Sequence, residues 1–126
     1  MGNTYQRNKR RTNTEYRLLC NMRKRVWDAV STQGSSKSDR TISLVGCSIG
    51  FLKKYIESKF LSGMTWRNYG LRGWHIDHVV PCATFDLKNT EDQKKCFHYT
   101  NLQPMWWLDN LKKSSLCDRK LIRKEE

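Results

Sequence analysis

The sequence predicts an α+β protein, and three observations carry that prediction. Apolar residues recur at helical spacing between Glu15 and Val30 and again between Ile49 and Phe60. One short run, Trp74 to Val80, reads as a strand stopped by Pro81. A Pro-containing stretch, TNLQPMWW, is held extended by Pro104 and leads into a last helix. At 126 residues the chain has room for one core and one binding face.

Taken in order, residues 1–13 are polar and basic with no apolar period, which predicts a flexible arm able to follow a phosphate backbone. Residues 14–40 then read as an amphipathic helix and its linker. Leu18, Leu19, Met22, Val26, Ala29 and Val30 form the apolar stripe, and Arg17, Arg23, Lys24 and Arg25 are interleaved with it. The Gly/Ser-rich stretch QGSSKSD closes that region. A second helix is predicted from Ser48 as its N-cap, with Ile49, Leu52, Ile56 and Phe60 on one side and Gly63 beyond its end. GMTWRNYGLRG supplies glycine punctuation and two rings, Trp66 and Tyr69, to anchor a loop. After the strand and the loop CATFDLKN, Thr90 and Gln93 have the spacing of a capping box for a short helix ending near Tyr99. The last helix is expected from about Leu108 to Leu116, within a domain spanning 41–116, and residues 117–126 form a charged tail.

Composition narrows the partner. Twenty-four Lys and Arg face 12 Asp and Glu, a formal charge of +12. Residues 1–40 hold ten basic and three acidic side chains, a net of +7. An excess of that size favours a polyanion, because neutralising phosphates releases condensed counterions. A membrane partner is disfavoured: no apolar run approaches a spanning length, and MGNTYQRNKRR lacks the apolar core of a signal peptide. Gln6 stands where a myristoylation signal after Gly2 wants Ser or Thr. The expectation is a protein inside the cell, not secreted. Five cysteines without a CxxC pair argue against a disulfide framework and a zinc ribbon.

The densest chemistry lies in WHIDHVVPCATFDL and QKKCFHYTNLQPMWWLDNLKK. Together these resemble the HNH endonucleases, in particular the small HNH proteins of phages, large DNA viruses and mobile introns. The likeness is strongest over 74–113 and extends more weakly back to residue 44. It implies a ββα-metal (HNH, His-Me finger) catalytic unit with basic amphipathic helices in front, cleaving DNA to leave 5′-phosphate and 3′-hydroxyl ends. The general base maps to His78, the acidic metal ligand before it to Asp77, and the loop-bracing asparagine to Asn101. The last position, often histidine, is here Asn110, the asparagine variant of some homing-type members.

Residue types fit those roles. A neutral imidazole is the side chain best poised to take a proton from water near pH 7. Asp77 and the amide oxygen of Asn110 are hard donors, which favours Mg²⁺ or Mn²⁺ over Zn²⁺. His75 shares the Asp77 side of the strand, as an outer partner of the metal ligand, a substrate contact or packing. Lys112 and Lys113 are placed to reach phosphate, and Arg10, Arg11, Arg17, Arg23, Lys24, Arg25, Arg67 and Arg72 to bind double-stranded DNA. A monomer with one site nicks, whereas a two-fold homodimer cuts both strands. Two rivals remain: a nucleic-acid-binding module without catalysis, and a small regulator stabilised by zinc on Cys82, Cys96 and His98.

Overall fold

Asn13 opens the first helix by accepting the Tyr16 amide on its side chain, which satisfies one donor that a helix start leaves open. The structure, a computed structural model, describes residues 13–70 and 72–113. Helix α1 is Thr14–Thr32, α2 is Thr41–Val45, α3 is Ile49–Ser58 and α4 is Thr90–Phe97. Strands β1, Trp74–His78, and β2, Leu102–Trp106, form a two-stranded antiparallel sheet, and helix α5 follows directly over 107–113. The molecule is therefore mixed α+β, as expected. The arm residues Arg10 and Arg11, the end of the last helix and the charged tail lie outside the described residues.

The apolar stripes do what their spacing predicts. Leu18 and Met22 join Leu52 and Ile56 of α3 and Trp74, Ile76 and Leu102 of the sheet in one buried cluster. One turn further along α1, Val26 and Val30 pack with Leu44, Leu87, Cys96 and Phe97 in a second. Helix α1 thus spans both halves of the core, and its burial rather than its propensity holds it helical. Ser48 caps α3 as predicted, its hydroxyl accepting the Phe51 amide at 3.1 Å.

Two elements differ from expectation. Helix α2 is one turn and a half long, too short for a periodic signature, and ends on Gly46 in the left-handed region at φ 79°. A Cβ on Gly46 would also meet the His98 ring at 2.8 Å, so glycine is required twice over. The capping box at Thr90 is not used: Asn89 caps α4, accepting the Glu91 amide at 2.9 Å. Gln93 is instead buried, linking Ser36, Ser38 and Leu87 by four hydrogen bonds of 2.8–3.0 Å that tie the α1–α2 linker to α4. A buried amide has to satisfy its donors and acceptor somewhere, and here it does so on the backbone of two loops.

The sheet is placed by aromatic packing. Trp74 stacks on Tyr69 at 4.5 Å, meets Phe60 and Trp66 edge-on, and donates its indole N–H to the Thr65 carbonyl at 2.7 Å. Gly73 lets the chain turn into β1, since a Cβ there would collide with the Asn68 carbonyl oxygen. Pro104 opposes Ile76 in the ladder, where a strand with only one neighbour tolerates the missing N–H.

Candidate functional site

Alternation along β1 decides which side each ionisable group faces. Trp74, Ile76 and His78 point inward, and His75 and Asp77 lie on the other face. The two neighbours Asp77 and His78 therefore reach different surroundings from one strand end.

On the outer face, Asp77 Oδ2 and the His78 carbonyl oxygen converge on one cation. The Lys113 ammonium, on α5, lies 2.7 Å from each of them. Gln103, opposite Asp77 in the ladder, approaches the same carboxylate oxygen at 3.5 Å. Both oxygen atoms are engaged by this one ammonium. Asn110 lies one turn before Lys113 on α5, half-buried, and Lys112 is exposed.

On the inner face, His78 is 4 % exposed. It meets the Phe97 ring edge-on at 5.6 Å, and its Nδ1 is 3.3 Å from a terminal nitrogen of Arg25. Both of its ring nitrogens lie 3.6 Å from Cys82 Sγ, and Cys82 Sγ lies 3.5 Å from Cys96 Sγ. Cys96 is the donor of this sulfur–sulfur hydrogen bond. The hydrogen bond from Cys96 pulls the Cys82 thiol down to about 5, against the desolvation of its burial, and His78 and Arg25 pull the same way. The same hydrogen bond, with burial, pushes Cys96 up.

The loop between the strands is fixed by Asn101. Its backbone carbonyl accepts the Val79 amide at 2.8 Å, and its side-chain oxygen accepts the Val80 amide at 2.8 Å. Its amide nitrogen donates to the Val80 carbonyl at 3.1 Å and to the Cys96 carbonyl at 2.9 Å. This one buried side chain sets where β1 ends and where α4 sits against it.

Two adjoining clefts run along α1 beside this strand. Arg17, Asn21, Lys24, Tyr69 and His75 line one; Ala29, Thr32, Gln33, His78 and Cys82 line the other; Arg25 and Asp28 belong to both. Of the predicted DNA-binding residues, Arg17 is committed to Tyr69, donating to its carbonyl and lying 4.7 Å above its ring. Arg23 and Lys24 are exposed, Lys24 pairing with Asp28 at 3.2 Å. Arg67 is exposed, and Arg72 lies 5.9 Å from the Trp107 ring. Arg25 is brought to His78 itself, with its Nε–H buried and unpartnered among the described residues.

Three participants were not read from the sequence in these positions. Cys82 and Cys96 gather around His78 rather than His98, whose Nδ1 is 2.8 Å from the Thr100 hydroxyl. The zinc set Cys82, Cys96 and His98 is therefore not assembled. Arg25 did carry a signal: it is three residues after Met22 and seven after Leu18, on the border of the buried stripe.

The chain is similar to two proteins of Acanthamoeba polyphaga mimivirus. It is 36 % identical over 97 residues to "Uncharacterized protein L246", covering 77 % of this chain and 41 % of that one. It is 32 % identical over 109 residues to "Uncharacterized protein L426", covering 86 % and 47 %. The chain thus spans somewhat under half the length of these curated relatives. No family model matches it, and no solved structure does. Among the described residues no helix is long and apolar enough to cross a membrane.

Proposed function

We propose that the chain is a metal-dependent DNA endonuclease or nickase of the HNH type. One observation carries the reading: a strand, a loop pinned by a buried asparagine, a second antiparallel strand and a helix place Asp77 and His78 on opposite faces of one strand end. That is the spatial order the sequence motif implies. The +12 charge, and the cleft where Arg17, Lys24 and Arg25 outnumber Asp28, support a nucleic-acid substrate. The two similar mimivirus proteins support a viral origin.

Asp77 and Asn110 would hold Mg²⁺ or Mn²⁺, and the Lys113 ammonium against Asp77 Oδ2 and the His78 carbonyl marks the place as fit for a cation. Bound there, such an ion supplies charge stabilisation for the phosphate as it gains negative charge. The chain's own groups do the rest. His78 takes the proton of the attacking water. Arg25 occupies the Nδ1 side of that ring in the free protein, and a phosphate entering the cleft draws the guanidinium away and frees the nitrogen. Asn101 keeps the strand end in register, so base and carboxylate address one phosphorus atom from two sides. Lys24, Arg23 and Arg67 carry flanking phosphates of double-stranded DNA. One site per chain nicks one strand, and a two-fold dimer cuts both.

Supercoiled plasmid incubated with Mg²⁺, Mn²⁺ or EDTA tests the reading. Metal-dependent conversion to open circles or linear DNA is expected, and is lost in His78→Ala and Asn110→Ala while both still retard DNA. Retardation without cutting in every metal identifies a binding module instead, and equal cutting by parent and His78→Ala removes the assigned base.

A further inference from the structure

The inner face of β1 carries a second donor set that the nuclease reading does not use. His78, Cys82 and Cys96 place one nitrogen and two sulfur atoms within 4.8 Å of one another. A tetrahedral zinc with Zn–S near 2.3 Å and Zn–N near 2.0–2.1 Å has edges of about 3.8 Å between sulfurs and about 3.5 Å between sulfur and nitrogen. The observed separations are 3.5 Å for the sulfurs and 3.6 Å from Cys82 Sγ to the ring. Two of the three edges therefore match such a site, and the third, from the His78 ring to Cys96 Sγ, is at most 4.8 Å. Their positions are fixed by three independent elements: β1 for His78, the turn Cys82–Thr84 for Cys82, and α4 for Cys96.

We propose that His78, Cys82 and Cys96 form a binding site for a soft divalent ion, Zn²⁺, whose fourth position opens into the cleft lined by Arg25, Thr32 and Gln33. Two sulfur ligands and an imidazole select zinc over magnesium, the reverse of the preference on the Asp77 side. Both sulfurs bind as thiolates, so the ion displaces whatever thiol protons they carry. Two thiolates and a neutral imidazole balance the charge of Zn²⁺.

The consequence falls on His78. Coordination through Nε2 leaves a proton on Nδ1, and coordination through Nδ1 consumes its lone pair. In neither case can the ring accept Arg25 or a proton from water. Metal on the inner face therefore switches off the base, so zinc and cleavage are alternative uses of one imidazole. This last step rests on the nuclease reading; the site itself does not.

The 126-residue chain, reduced and stripped with chelator, is titrated with Co²⁺ as a spectroscopic stand-in for Zn²⁺. One equivalent is expected, with a sulfur-to-cobalt charge-transfer band and the visible bands of tetrahedral cobalt, all bleached by Zn²⁺. The bands disappear in Cys82→Ser and Cys96→Ser and persist in Cys20→Ser and Cys47→Ser. X-ray absorption of the zinc-loaded parent needs no variant and returns two sulfur neighbours. Absence of the charge-transfer band in the parent, its survival in Cys82→Ser, or a zinc shell of oxygen and nitrogen alone overturns the site. A second arm adds Zn²⁺ to Mg²⁺-supported plasmid cleavage by the parent, where loss of cutting is expected; undiminished cutting with the cobalt bands present overturns the switch. The cobalt spectrum is independent of cleavage, so failure of the nuclease reading and failure of the metal site give different results.

Discussion

Asp77 and His78 are neighbours in β1, yet their side chains share almost no surroundings. Asp77 faces Lys113 of α5, which also donates to the His78 carbonyl oxygen, and Gln103 of β2. His78 faces sulfur, a phenylalanine ring and a guanidinium under α1. The period of two in a strand is sufficient to produce this division, because successive residues have no choice but opposite faces. One strand end can therefore offer hard oxygen donors on one side and soft donors with a proton acceptor on the other. In the proposed enzyme a single phosphate would be gripped from both.

The largest effect that can break this comparison is on His78. His78→Ala should lower plasmid cleavage by about 10²–10⁴-fold, the usual worth of a positioned general base, with DNA retention in a gel unchanged. Next comes the residue that keeps the two faces aligned. Asn101→Ala leaves the Val80 amide and the Val80 and Cys96 carbonyls without their partner, and should cost about 3 kcal/mol in urea unfolding, read as a lower midpoint at unchanged slope. Lys113 sharpens the outer side. Its ion pair with Asp77 is partly exposed, with 29 % and 13 % of the two side chains accessible, so it contributes about 1 kcal/mol. Lys113→Met should lower the Mg²⁺ concentration for half-maximal cleavage several-fold, because Asp77 no longer has to shed a cation. The smallest effect is on the surface of α1. Arg23→Ala and Lys24→Ala should each reduce the slope of log binding constant against log salt by about 1, without changing the metal requirement.

What the sequence made legible follows the reach of its periodicities. The stripes of α1 and α3 and the alternation in WHIDH are local patterns, and each produced the element it predicts, although β1 ends at His78, two residues short of the Val80 end predicted from Pro81. Asn101 was legible through its place before Leu-Gln-Pro, and its loop contacts are those of a brace. The sulfur cluster was not legible, because it joins residues from β1, a turn and α4 whose approach depends on tertiary packing. His98 is two residues from Cys96 in sequence but turns toward Thr100 and Gly46, whereas His78 is eighteen residues away and adjacent in space. Gln93 shows the same limit. Its spacing from Thr90 satisfied a local rule, and burial against the Ser36–Ser38 linker gave its amide a stronger use. Arg25 reads in the sequence as a DNA contact beside Arg23 and Lys24, yet its position at the border of the stripe turns it inward to the histidine.

The most direct test of the central claim, that the outer face serves the same reaction as His78, is single-turnover cleavage of supercoiled plasmid by the parent and Asp77→Asn over a range of Mg²⁺ concentrations. The account predicts that Asp77→Asn binds plasmid like the parent and fails to cut it at any Mg²⁺ concentration that supports the parent. Cleavage by Asp77→Asn at the parent's rate and with the parent's metal dependence would contradict it.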